Sequence, residues 1–164
     1  MSATGLTAKE RSAARAKAVR GGLLVIRNAP QIHYTQGAAR WSGINAKRRA
    51  YKGEYPVYAD CSSMGTWLLW DALKKHINDG LGDIVNGAAW RAGYTGTMIA
   101  HGKSVSASSL LPGDAIIYGA GGVTKHVAIS LGGRKAMSHG SEGGPYLVDY
   151  AYRSDILDCR RYIR

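Results

Sequence analysis

The spacing of apolar residues changes once along this chain, at Pro112, and that change limits the folds open to it. Before Pro112 apolar residues recur at helical intervals; after it they alternate. Ala115–Tyr118, His126–Leu131, Arg134–His139 and Tyr146–Tyr150 read as strands separated by glycine-rich turns. A short helical turn is expected over Arg153–Leu157, and a last strand over Cys159–Ile163. Helices followed by a run of adjacent strands define an α+β fold with an antiparallel sheet.

Two helices carry start signals. Thr7 and Glu10 form a capping-box pattern that opens a helix running to about Arg20, ended by Gly21-Gly22. Its apolar positions are mostly alanine, so it should lie on the body as a shallow helical arm. Residues 27–58 show little periodicity. Asp60 then reads as the N-cap of a helix over 61–75, with Cys61, Met64, Gly65, Leu68 and Ala72 on one face. A further helix is expected from about Asp83 to Ala92. With 164 residues and no flexible linker or repeat, the chain reads as one domain, a basic arm over 1–52 and a core over 53–164.

Charge is unevenly placed. Residues 1–52 hold eleven of the 22 Lys and Arg against one acid, Glu10, while the remainder is nearly neutral. Such a patch suits an anionic partner, or simply a solvated helix face. Apolar runs such as Leu23–Ile26 and Trp67–Trp70 are too short to cross a bilayer. No secretory signal pattern opens the chain, so synthesis in the cytoplasm is expected. No metal-ligand spacing occurs, and no metal or cofactor is expected.

Cys61 lies in the first turn of the best-defined helix, where unpaired N–H groups and the positive dipole end favour a thiolate and can receive an oxyanion. Asp60 opposes thiolate formation, so a cationic partner is required. The alternative for Cys61 is a small buried hydrophobe; for Cys159, in an expected edge or terminal strand, a structural role is the natural reading. His126 opens a strand in which His126, Ala128 and Ser130 share a face, so small residues would let a helix approach the sheet there. Gly132-Gly133 suggests a two-residue hairpin, which would set His126 directly opposite His139. A helix-start cysteine with two facing histidines is an activated-nucleophile arrangement. His33, His76 and His101 lack such company.

These elements, Asp60-Cys61-Ser62-Ser63, Leu111-Pro112-Gly113-Asp114, His126-Val127-Ala128-Ile129 and Met137-Ser138-His139, resemble the NlpC/P60 and CHAP group of papain-like cysteine hydrolases of bacterial cell walls. The resemblance covers about residues 55–141. Ile32-His33-Tyr34-Thr35-Gln36-Gly37 with Arg40-Trp41 resembles the peptidase part of endolysins from phages of actinobacteria, which reach the wall through a holin-opened membrane.

The resemblance implies Cys61 as nucleophile, His126 as general base and His139 as orienting group, with Glu142 as an alternative orienter. Tyr51, Tyr58 or Gln36 would complete the oxyanion hole, and Trp90 and Trp41 would line a groove. Ser63 stands where the family has glycine, and the Cys61–His126 interval is long, so residues 78–108 would shape the substrate groove. The implied substrate is peptidoglycan, cut as an endopeptidase or as a muramoyl-alanine amidase, with anionic wall polymers as a possible further partner of the basic arm. The rival readings are a basic nucleic-acid-binding protein, for which no binding motif is present, and a wall-binding module without catalysis.

Overall fold

The computed structural model describes residues 5–45, 49–50, 55–87 and 92–164. At its centre is a six-stranded sheet made of β5 (Lys103–Val105), β6 (Ala115–Ala120), β7 (Val123–Gly132), β8 (Lys135–Ser138), β9 (Tyr146–Asp149) and β10 (Ile156–Arg161). Its spatial order is β5-β10-β6-β7-β8-β9, and every neighbouring pair is antiparallel. The expected α+β architecture is therefore the observed one. Two details differ. β10 begins at Ile156, within the stretch read as a helical turn, and it is an interior strand, so Cys159 is buried rather than at an edge.

Alternation along the strands separates two apolar clusters. Ala115, Ile117, Val127, Ile129 and Met137 face the helices, in a core with Met64, Trp67 and Leu68. Ile116, Tyr118, Ala128, Ala136 and Cys159 form a smaller cluster on the outer face. The helix that packs on the inner face is α2 (Cys61–Ala72). Its Asp60 cap is a closed reciprocal pair: Ser63 N–H donates to Asp60 Oδ1 at 2.9 Å, and Asp60 N–H donates to Ser63 Oγ at 2.9 Å. Ser63 thus has a structural use as half of the cap.

α1 (Ala8–Arg27) lies on the body, with Ala14, Ala18 and Val25 buried against it. The expected Thr7–Glu10 box forms, but the helix passes through Gly21-Gly22 and ends seven residues later than Arg20. Both glycines are buried, because a Cβ on Gly22 would sit 2.5 Å from Leu131 Cδ2. The pair is a contact site with the body, not a helix stop. After α2 come a short helix, α3 (Lys74–His76), and a turn of π-helix over Ile77–Leu81. Residues 84–87 form turns where a helix from Asp83 was expected, and α4 (Thr95–Ile99) follows. The rest of that expected helix, and Trp90, lie outside the described residues.

Leu111-Pro112-Gly113-Asp114 is the joint of the fold. Leu111 N–H donates to Asp114 Oδ2 at 2.8 Å, and Asp114 N–H donates to the Leu111 carbonyl at 3.0 Å. Gly113 holds φ at +91°, which favours glycine, and a Cβ there would meet Ile163 at 2.8 Å. Asp114 is fully buried. Arg161 of β10 donates to it from Nε at 3.0 Å and from Nη2 at 2.7 Å, and Arg15 of α1 lies 3.9 Å away. Arg15 also donates to the carbonyls of Pro112 and Ile163, at 3.2 and 2.5 Å.

Removing one partner of a buried charge set leaves the others uncompensated, at about 3–5 kcal/mol. Asp114→Ala should lower stability by about that amount in urea unfolding. Asp149→Ala, which breaks an exposed pair with Arg134, should leave the midpoint nearly unchanged.

Candidate active site

Cys61 is delivered by two short strands. β1 (His33–Tyr34) pairs in parallel with β4 (Tyr58–Ala59), which leads straight into the Asp60 cap. His33 N–H donates to the Val57 carbonyl at 2.7 Å, and Thr35 N–H to the Ala59 carbonyl at 3.0 Å. Tyr34 is thereby held beside the start of α2. Its hydroxyl accepts from Gln36 Nε2 at 3.1 Å, and its pKa is raised, by burial first, with the Cys61 thiol adding to the rise.

Cys61 as a residue is partly exposed, but its thiol is largely desolvated and lies against β7, where the Val127 backbone N–H stabilises its anion. Burial, and then the Asp60 carboxylate, push it up to about 11. Among the described residues no cation acts strongly enough on the thiol to offset this; Arg40 pairs with Asp60 instead. Its Nη1 donates to Asp60 Oδ2 at 3.0 Å and to Ser62 Oγ at 3.3 Å, while Nη2 donates to the Gly93 carbonyl at 3.0 Å. Arg40 also lines a cleft of about 390 Å³ with Gln36, Gly37, Ala38, Trp41 and Ser42. Nothing in the sequence paired Arg40 with Asp60, twenty residues away.

The two histidines are not cross-strand partners. Ala128 pairs with Ser138 and Ser130 with Ala136, but Gly132 pairs with Lys135, so a bulge at Leu131 absorbs one residue. Gly132 N–H donates to Ser130 Oγ at 3.1 Å within that bulge. Continuing the ladder sets His126 opposite Gly140 and His139 opposite Val127. A Cβ on Gly140 would lie 3.0 Å from His126 Cε1.

His126 consequently occupies the outer face, against the expectation that its face would receive the helix. α2 packs instead on Val127 and Ile129, with its own Gly65 giving the close approach: a Cβ there would be 3.1 Å from Ile129 Cδ1. The His126 ring stacks on Tyr118 at 5.8 Å, and its Nε2 is 2.8 Å from Ser138 Oγ. Ser138 Oγ is in turn 3.1 Å from the Tyr152 hydroxyl. These two residues were not singled out in the sequence. Burial, aided by Arg153 and His139 and opposed by Asp155 and Asp60, brings His126 down to about 4. Among the described residues no hydrogen bond joins the thiol to either imidazole; the thiol reaches the strand one residue from His126.

His139 sits under β1. Its ring packs edge-on to Tyr34 at 5.5 Å, and its Nε2 is 3.5 Å from the His33 carbonyl. Glu142 does not orient a histidine of this pair: Oε1 is 2.8 Å from His33 Nδ1, and Oε2 accepts from Tyr34 N–H at 2.8 Å. Tyr58 is exposed and packs on His33 at 5.5 Å. Tyr51 lies outside the described residues. Trp41 is buried, with Arg40 over its ring at 4.8 Å. Among the described residues no cluster of three or more His, Cys, Asp or Glu could hold a metal, and no helix is long and apolar enough to cross a membrane.

The sequence matches no family model, and no curated protein is significantly similar to it. Solved structures do share its fold. The NlpC/p60 domain of the peptidoglycan hydrolase SagA superposes with a TM-score of 0.57 at 20% identity, over 90% of this chain and 97% of that one. An NlpC/P60 family protein from Bacillus cereus gives 0.60 at 18% identity, over 92% of this chain and 40% of that one. A hypothetical invasion protein of Mycobacterium tuberculosis gives 0.60 at 19% identity, over 96% and 65% respectively. The chain thus spans almost all of the first but no more than 65% of the other two. Its fold is the papain-like fold of NlpC/P60 domains.

Two titrations test this electrostatic arrangement. Asp60→Asn keeps a capping side chain and removes the anion, so the pH midpoint for iodoacetamide alkylation of Cys61 should move downward. His126 is depressed on folding, so an unfolded chain binds its proton first. The stability from its neutral form is complete above about pH 6.5 and is lost as pH falls toward about 4. Urea midpoints of wild type should fall more steeply through that window than those of His126→Gln.

Proposed function

We propose that this chain is a cysteine hydrolase that cuts an amide bond in the peptide part of peptidoglycan. The observation that carries the reading is Cys61 at a capped helix start, against β7 beside His126, within a fold shared with the domain of a peptidoglycan hydrolase. Cys61 Sγ attacks the carbonyl carbon, and the thiol proton is taken up by His126, the base that the resemblance implies, which directly precedes the strand residue the thiol meets. His126 then protonates the leaving amine, and water hydrolyses the thioester.

The resting pair is neutral, because the thiol is raised and the imidazole lowered. Proton transfer accompanies attack, as in general base catalysis. Backbone N–H groups at the start of α2 receive the oxyanion, with the Tyr34 hydroxyl as the side-chain donor in place of Gln36, which is bonded to it. His139, set under Tyr34, braces that donor.

Among amide-cutting activities we favour the endopeptidase over the amidase. The cleft of Gln36, Arg40 and Ser42 offers polar groups suited to a peptide stem. The resemblance of residues 32–41 to actinobacteriophage endolysins supports a phage lysin released through a holin. Lys9, Lys17, Arg20 and Arg27 on the exposed side of α1 suit anionic wall polymers.

Purified peptidoglycan should release soluble fragments with wild type and none with Cys61→Ala, while both proteins unfold at the same urea midpoint. Free stem-peptide ends among the products, weighed by mass spectrometry, mark the endopeptidase; intact stems cut from muramic acid mark the amidase. Fragment release by Cys61→Ala would overturn the proposal.

A further inference from the structure

We infer that Ser138, backed by the Tyr152 hydroxyl, is the residue that positions His126 and selects its tautomer. The inference rests on the cysteine-hydrolase reading above and assigns the orienting role that neither His139 nor Glu142 fills.

The His126 ring is held on three sides. Tyr118 stacks on it at 5.8 Å with the planes 29° apart, and Gly140 closes over Cε1, where a Cβ would lie 3.0 Å away. Nε2 is tied to Ser138 Oγ at 2.8 Å. His126 and Ser138 are both buried, at 6% and 4% exposure, so this bond is made away from water. Ser138 Oγ continues to the Tyr152 hydroxyl at 3.1 Å, and Tyr152 is 47% exposed, so the chain of hydroxyls ends at the surface.

The direction of that chain decides the chemistry. A neutral imidazole carries one proton. When Nε2–H donates to Ser138, the serine proton goes to Tyr152 and the tyrosine proton to water, and every group is satisfied. Nδ1 is then left with its lone pair, able to accept a proton. In the reverse direction Tyr152 donates to Ser138 and Ser138 to Nε2, leaving Nδ1–H, which cannot act as a base. The buried ring thus depends on an uncharged relay where related chemistry uses a charged or imidazole partner. The charged and titratable groups acting on His126 are Arg153, Asp155, His139 and Asp60, and none of them hydrogen-bonds its ring.

The alternative orienters are committed elsewhere. His139 bonds toward the His33 carbonyl, and both oxygens of Glu142 are occupied by His33 and Tyr34.

The test is nitrogen NMR of His126 at neutral pH together with the rate of Cys61 alkylation by iodoacetamide. Wild type should show the Nε2–H tautomer. Ser138→Ala should show mixed tautomers and alkylate about tenfold more slowly, the size of one net hydrogen bond. Ser138→Thr, which keeps a hydroxyl, should restore both readouts. Tyr152→Phe, which keeps the ring, should shift the tautomer balance part of the way. An Nδ1–H tautomer in wild type, or an unchanged tautomer in Ser138→Ala, overturns the inference; if Ser138→Ala does not fold, an unchanged tautomer in Tyr152→Phe does so. Should the tautomer respond as expected while wild type releases nothing from walls, the positioning role stands and the hydrolase reading fails.

Discussion

A single buried carboxylate joins the two ends of this chain. Asp114 has no access to water, and charges in that position persist only when paired and hydrogen-bonded. Its partners come from α1 through Arg15, from β10 through Arg161 and from its own turn through the Leu111 amide. The same turn hands its backbone to β7, since Gly113 N–H donates to the Ser130 carbonyl and Ser130 N–H to the Asp114 carbonyl. The strand that carries His126 is therefore registered by the Asp114 joint at one end. At the other end it stacks His126 on Tyr118.

The site is built from pieces whose own structural needs coincide. Asp60 caps α2, raises the thiol and is held by Arg40 from the cleft wall. Glu142 fastens the loop after β8 to β1, which presents Tyr34 next to Cys61. The thiol meets β7 at the backbone of Val127, the residue that follows His126.

Much of this was legible in the residues. The Thr7–Glu10 capping box and the Asp60 N-cap are local signals and were read correctly, as was the antiparallel sheet from its alternation; the part Ser63 plays in the second cap was not. What failed was non-local. The Gly21-Gly22 pair carries the same letters as a helix stop, yet its glycines are spent on contact with Leu131 and α2. The register of β7 and β8 turned on one bulged residue, and a shift of one exchanges the faces of a strand. That slip made His139 look like the partner of His126 and hid Ser138, whose hydroxyl has no distinctive sequence signature. Arg40 and Tyr34 were invisible as site residues because their partners lie across the fold.

The place of β10 in the sheet sets the order in which this protein can be made. It lies between β5 and β6, so β5 cannot join the sheet until residues 156–161 have been made and inserted into the gap. Until then β6 carries an open edge of unpaired amides and carbonyls, and Asp114 lacks its main counter-ion. The β6–β9 meander rests on local pairings, whereas β5, made before it, must wait for the last strand.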